Sequence, residues 1–170
     1  MASLMENFMD ILEKENGEYE RLVELSRQKT QVIIDGNVPA LDKITEQEQE
    51  ITGTLINLEK KREEIVNDMS IVLSKDPSDL TVTNMIAFLS KQPQEQQKLK
   101  DIKQKLRDTL NQMARLNEQN ESLLQHAMEM TEFDLTLFKS MRQAPTTANY
   151  DKRANNTGDI LGAGGFDAKQ

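Results

Sequence analysis

The sequence predicts an all-α protein: an elongated antiparallel helical bundle, or coiled coil, of three long helices and one short helix, followed by a disordered C-terminal tail. Residues 94–144 contain no Gly or Pro, and their apolar residues recur at three- and four-residue steps. A second stretch, around residues 41–72, repeats apolar residues every seven positions. The composition, 36% hydrophobic and 29% charged with no Trp, suits long paired helices better than a thick globular core.

The first helix is predicted at about residues 3–34. It ends before Gly36, which can take the left-handed conformation just past a helix end, and Pro39 suits the first turn of the next helix. Because so few residues connect them, the first two helices should form an antiparallel hairpin. The apolar residues of the first helix that step along one face are Leu4, Phe8, Ile11, Leu12, Tyr19, Leu22, Leu25, Val32 and Ile33.

The second helix is predicted at about residues 39–74, ending before Asp76-Pro77 because the residue before a proline avoids the helical region. Glu48 and Arg62 interrupt one of its two apolar rows. Either these long side chains reach solvent at the edge of a groove, or they form a polar layer that sets the register. The regular row is Ile44, Ile51, Leu58, Ile65 and Val72, and the interrupted row is Leu41, Glu48, Leu55, Arg62 and Met69.

A short helix is predicted at about residues 81–90, capped by Thr81 or Thr83, although the β-branched start Thr81-Val82-Thr83 would also suit an extended segment. We expect its apolar residues to cover one end of the bundle. They are Met85, Ile86, Phe88 and Leu89.

The last helix is predicted at about residues 94–144, which at 1.5 Å per residue is roughly 75 Å long. The chain order makes it antiparallel to the second helix and parallel to the first. A basic stretch, residues 98–107, would then face an acidic stretch, residues 13–24, and this charge pattern favours that register over its reverse. The charged residues are Lys98, Lys100, Lys103, Lys105 and Arg107 on one side, and Glu13, Glu15, Glu18, Glu20 and Glu24 on the other.

The last helix is longer than the other two, so residues 128–144 should extend beyond the hairpin. This segment is rich in Met, Phe and Leu, side chains that suit a surface which repacks around a partner. Alternatively, the first helix bends to cover the segment, or the segment forms a homodimer seam. A client helix is expected to bind at Leu123, Leu124, Met128, Phe133, Leu137, Phe138 and Met141.

Several function classes are disfavoured by composition. The net charge of −8, with no aromatic residue within the basic stretch, argues against nucleic-acid binding. With no Cys, one His (His126) and no phosphate-binding or nucleophile motif, we expect no metal, no cofactor and no enzymatic activity.

No signal peptide or apolar run long enough to insert in a membrane is present, so a cytoplasmic protein is expected. Three acids in residues 128–142 also disfavour a membrane-surface helix.

Residues 145–170 are predicted to form a flexible tail, because Gly and small polar residues dominate there. Its only large apolar residues are Tyr150, Ile160, Leu161 and Phe166, which are either docking points or chance occurrences.

Three stretches resemble the FlgN family of flagellar export chaperones. Residues 13–41, with Gly36-Asn37 between two helices, are similar to the family's first helix and turn. Residues 51–62 resemble its repeated L..LE..R stretch, and residues 116–124, LNEQNESLL, resemble its LN..N..LL signature. The resemblance spans roughly residues 4–144, with a weaker match at Tyr150-Asp151.

This resemblance implies a cytoplasmic type III secretion chaperone that binds the C-terminal helical segments of hook–filament junction proteins with its last helix. It also implies delivery of these clients to the membrane export gate, with Tyr150 as the candidate contact. The free chain would be a monomer or a weak dimer. The rival interpretation is a structural coiled-coil or adaptor protein that self-associates through its last helix.

Overall fold

A computed structural model describes residues 2–143 of the chain. Within that range the all-α prediction is confirmed. The long helices are α1 (Ala2–Ile34), α2 (Val38–Leu73) and α4 (Pro93–Gln143), and the short helix is α3 (Val82–Phe88), flanked by 3₁₀ turns at Pro77–Asp79 and Leu89–Lys91. The chain divides into two compact units, one ending at Leu124 and the other beginning at Gln125. The expected tail, residues 145–170, lies outside the described residues.

Local sequence signals account for the helix boundaries. Gly36 takes the left-handed conformation, φ +65°, and the Asn37 side chain accepts a hydrogen bond from the backbone N–H of Ala40 at the start of α2. Ser74 ends α2 with φ 51°, a conformation usually left to Gly or Asn. Thr81, one of the two predicted caps, begins α3 by accepting a hydrogen bond from the backbone N–H of Asn84.

Helices α1 and α2 are antiparallel, and two ion pairs connect them. Lys29 lies 2.6 Å from Glu48, and Arg62 lies 2.9 Å from Glu15. The low-numbered end of one helix thus lies beside the high-numbered end of the other. Glu48 and Arg62 are the residues that interrupt the apolar row of α2, and both bind α1. The structure therefore supports the polar-layer interpretation over simple extension into solvent.

Glu15 was expected to face the basic stretch of α4, and that expectation is wrong. Its carboxylate is buried against Arg62 of α2 instead. Tyr19 lies close to this ion pair, and its pKa is raised above the usual 10.0, first by burial and then by the negative charges of Glu15 and Glu59.

The predicted regular row of α2 fails at its C-terminal end. Ile44 and Ile51 are buried as expected, but Val72 is 54% exposed and Met69 of the other row is fully buried. A straight α-helix drifts by about 20° per heptad relative to a seven-residue repeat. Over the four heptads from Ile44 to Val72 this drift moves the row off the core, and Met69 takes its place.

The main hydrophobic core gathers residues from all four helices. Phe88 was expected to belong to it, but its side chain is exposed, with the Lys75 ammonium 4.3 Å from its ring centre. Leu80, which precedes α3, is buried in its stead. The α3 segment is short enough to present only one face to the core, and Phe88 lies off that face. The buried members are Phe8, Met9, Leu12, Met69, Leu80, Met85, Leu89, Leu99 and Ile102.

Within the first unit, α4 runs parallel to α1, as the chain order predicted. Ser26 of α1 binds Asn117, and Thr30 binds Asn120, so that residue numbers rise together along both helices. The predicted charge contact is present at one position, where Lys105 lies 3.7 Å from Glu20.

Candidate functional site

The second unit carries a dense set of exposed apolar side chains at the end of α4. Between residues 125 and 143 every described Met, Phe and Leu side chain is at least 48% exposed. Burying one such side chain contributes a free energy of about 1.5–3 kcal/mol. A helix that leaves seven of them exposed to water therefore favours binding to another apolar surface. These residues are Met128, Met130, Phe133, Leu135, Leu137, Phe138 and Met141. We refer to them as the apolar segment.

The apolar segment covers more than half of the helix circumference. At about 100° per residue, the polar side chains collect on one narrow stripe and the apolar side chains occupy the remaining arc. Only Thr131, Asp134 and Arg142 interrupt that arc. One packed helix neighbour covers a narrower stripe than this. The polar stripe consists of Glu129, Glu132, Thr136, Lys139, Ser140 and Gln143.

The chemistry of the apolar segment suits an adaptable protein contact. Three of its members are Met, whose unbranched side chain repacks readily around different partners. The Arg142 guanidinium lies over the Phe138 ring, 5.8 Å from its centre. Hydrogen bonds in this stretch are confined to neighbouring turns, such as Thr136 to the Glu132 carbonyl and Ser140 to the Thr136 carbonyl.

In the first unit, α1, α2 and α4 enclose an open groove of about 520 Å³. Each helix contributes residues at helical spacing, so the groove has the form of a missing fourth helix. Leu124 lines it, whereas Leu123 is partly buried. The lining is Leu22, Ser26, Lys29, Ile33, Leu41, Thr45, Glu48, Thr52, Met113, Asn117, Asn120, Glu121 and Leu124.

The floor of this groove is a polar network built by the two Asn residues of the LN..N..LL stretch. Asn120 is buried, donates its amide to the Ser26 carbonyl at 2.7 Å and accepts from the Thr30 hydroxyl at 2.6 Å. The Ser26 hydroxyl donates to Asn117 at 3.2 Å. A buried amide with both ends satisfied fixes the position of α4 against α1. Sequence reasoning noted the stretch but did not foresee this contact.

The predicted client-binding residues fall into two places. Met128, Phe133, Leu137, Phe138 and Met141 are exposed in the second unit, whereas Leu123 and Leu124 belong to the first. The list of candidate residues omitted two equally exposed members of the apolar segment, Met130 and Leu135. Their positions on the helical arc were the signal that could have included them. Tyr150, the predicted export-gate contact, lies outside the described residues.

Comparison with known proteins gives one match, to a family model. No curated protein and no solved structure matches the chain. Among the described residues, no helix is long and apolar enough to cross a membrane. The family model described as "FlgN protein" matches residues 1–158, which is most of the 170-residue chain. The chain therefore belongs to the FlgN family of flagellar type III export chaperones.

Proposed function

We propose that this protein is a cytoplasmic chaperone that binds the C-terminal helical segments of hook–filament junction proteins through the apolar segment of α4. Binding would keep these clients from associating prematurely and deliver them to the export gate. The observation that supports this proposal is the set of large apolar side chains left in water at the end of α4.

The form of the contact follows from the helical arc. An amphipathic client helix presents one apolar stripe, and laying it on the apolar segment covers two hydrophobic surfaces at once. Because the apolar arc exceeds half of the circumference, a single client helix leaves part of it exposed. The proposal therefore includes a client that contributes two faces, either two helical segments or one segment and its connecting turn.

The charged residues within and beside the apolar segment keep the contact reversible. Asp134 lies inside the arc, so a client that buries it must supply a hydrogen-bond donor. A secreted client has to be released at the export gate. An interface that is partly polar suits such transient binding better than a fully apolar one.

Delivery to the export gate is proposed to involve Tyr150. This residue is one of only two Tyr in the chain and follows the end of α4 by a few residues. Its support is the family resemblance around Tyr150-Asp151.

The test is co-purification of a junction-protein C-terminal fragment with variants of the full chain. Phe138→Asp with Met141→Asp should reduce capture by on the order of a hundredfold, since two anchors are lost and two charges are added to the interface. The matched control is Ile71→Asp with Val72→Asp, which changes two exposed apolar residues of α2 in the same way. Equal capture by the wild type and the Phe138/Met141 variant, with helicity retained, would exclude the apolar segment as the client site.

A second candidate function rests on the same exposed residues. The apolar segment of one copy can pack on that of another, which would make the protein a structural coiled-coil or adaptor component. The polar stripe opposite the apolar arc would remain in solvent in such a dimer.

A further inference from the structure

A second surface, remote in chemistry from the apolar segment, lies in the first unit between α3 and α4. Three cations, Lys100, Lys103 and Arg107, follow one another at helical spacing on α4 and line a pocket of about 300 Å³ with Thr83 and Ile86. Gln104 completes the lining. We call this surface the basic pocket.

No cation of the basic pocket lies within 4.0 Å of a carboxylate oxygen in the described part of the chain. The ion pairs of residues 2–143 involve other residues, and of the basic stretch only Lys105 is paired, with Glu20. The Lys103 ammonium donates instead to the Thr83 hydroxyl at 2.9 Å, and the Lys100 ammonium to the Gln96 side chain at 3.3 Å. The sequence had placed these cations opposite the acids of α1, but they face α3.

These three cations share one pocket in a protein whose net charge is −8. Like charges set three and four residues apart on a helix repel each other and lower its stability. The Lys100 and Arg107 side chains are exposed, so the bundle core does not require these two cations. A partner that brings negative charge would relieve that repulsion.

From this arrangement we infer that the basic pocket is a docking site for an acidic segment of a partner protein. The three charges extend over about 10 Å along α4 at 1.5 Å per residue. Carboxylates at the same helical spacing on a partner helix would reach all three cations. The Arg107 guanidinium can bind a carboxylate through bidentate hydrogen bonds. Thr83 and Gln104 add hydrogen-bonding groups, and Ile86 supplies an apolar wall.

Carboxylates suit this surface better than phosphates of a nucleic acid or a lipid headgroup layer. No aromatic side chain lines the pocket, so bases would find no stacking surface. A long polyanion or a charged membrane would also meet the other acids of the chain. A short acidic segment needs to contact only the region within about 8 Å, the screening distance at physiological salt.

The experiment measures binding of the full chain to a short alanine-based helical peptide with Glu at the spacing of the three cations. Its matched probe is the same peptide with Gln in place of Glu. Wild type should bind the Glu peptide and not the Gln peptide. Replacing Lys100, Lys103 and Arg107 together by Gln should weaken binding on the order of tenfold, within a range of roughly 3- to 100-fold, since each of three exposed pairs is worth roughly 1.5- to fivefold.

The control variant carries Lys43→Gln, Lys60→Gln and Lys61→Gln, which change net charge equally on the exposed surface of α2. It should bind the Glu peptide within about threefold of wild type. If both triple variants lose affinity alike, attraction is nonspecific and the inference is wrong. Tighter binding of single-stranded DNA or phosphatidylglycerol vesicles than of the Glu peptide would overturn the choice of a protein partner.

Two further measurements keep the outcome independent of folding and of the client site. Far-UV circular dichroism checks helicity, and if the loss of Lys103 disturbs α3, the Lys100→Gln/Arg107→Gln pair, both exposed, replaces the triple variant. The Phe138→Asp/Met141→Asp variant should bind the Glu peptide like wild type. Failure of the basic pocket and failure of the apolar segment are thus distinguished.

Discussion

The Nε of Arg62 donates a hydrogen bond to the carboxylate of Glu15 at 2.9 Å, and the Glu15 side chain is 7% exposed. The contact joins α2 to α1 near the middle of their antiparallel pairing. Since Arg62 is itself one-third exposed, the pair is partly desolvated and is not fully buried. Removing one partner would leave the other charge in a poorly solvated place.

We therefore expect Arg62→Met to lower the free energy of unfolding by about 1–3 kcal/mol. Glu15→Leu combined with Arg62→Met should recover part of that loss, because no uncompensated charge remains. Urea unfolding followed by circular dichroism measures both. If the double variant is less stable than Arg62→Met by the full cost of Glu15→Leu alone, the two residues act independently.

Asn120 is expected to stabilise the contact between α1 and α4 through its two hydrogen bonds. Asn120→Ala should cost about 1–3 kcal/mol, since the Ser26 carbonyl and Thr30 hydroxyl lose a buried partner. A double-mutant cycle with Thr30→Val isolates the Thr30–Asn120 term, for which we expect about 0.5–1.5 kcal/mol of coupling. Additive effects of the two changes would show that this hydrogen bond contributes nothing.

The drift of the α2 heptad predicts opposite sensitivities at two apolar positions only three residues apart. Met69→Ala should destabilise by about 2–5 kcal/mol, because Met69 is fully buried in the core. Val72→Ala should change stability by less than about 0.5 kcal/mol. Thermal or urea unfolding compares the two variants directly. A larger destabilisation by Val72→Ala than by Met69→Ala would show that the seven-residue row stays in the core as far as Val72.

Tyr19 should make the free energy of unfolding depend on pH at alkaline pH. Because its folded pKa is raised above 10.0, the folded state holds the phenolic proton more tightly than the unfolded state. The stabilisation is fully present below pH 10 and is lost as pH rises through the folded pKa. Ultraviolet titration of tyrosinate in wild type and in Tyr19→Phe separates Tyr19 from Tyr150, and a Tyr19 midpoint at or below 10.0 would contradict the burial shift.

Much of the fold was predictable because breakers and caps are local signals. Gly36, Pro39, Asp76-Pro77 and Thr81 mark where helices end and begin, and the structure agrees with them to within a residue or two. Long-range choices were harder. Glu15 could pair with Arg62 of α2 or with the basic stretch of α4, and sequence alone does not rank Arg62 above the lysines of α4.

Burial at helix ends was the other weak point. Phe88 and Val72 are apolar residues at expected positions, yet both are exposed, because a short helix presents one face and a seven-residue row drifts on a straight helix. The candidate site was predicted from an excess of apolar residues in the last part of α4. These residues are exposed in the structure. The spacing of apolar residues along the sequence does not identify the partner that binds them.

Light scattering measures molecular mass and so shows whether the apolar segment binds a client or a second copy of the chain. The full chain should be a monomer that forms a 1:1 complex with the C-terminal fragment of a hook–filament junction protein. The Phe138→Asp/Met141→Asp variant should remain a monomer with and without the fragment. A homodimer that persists at high salt and ignores the fragment would contradict the chaperone proposal and favour self-association through α4.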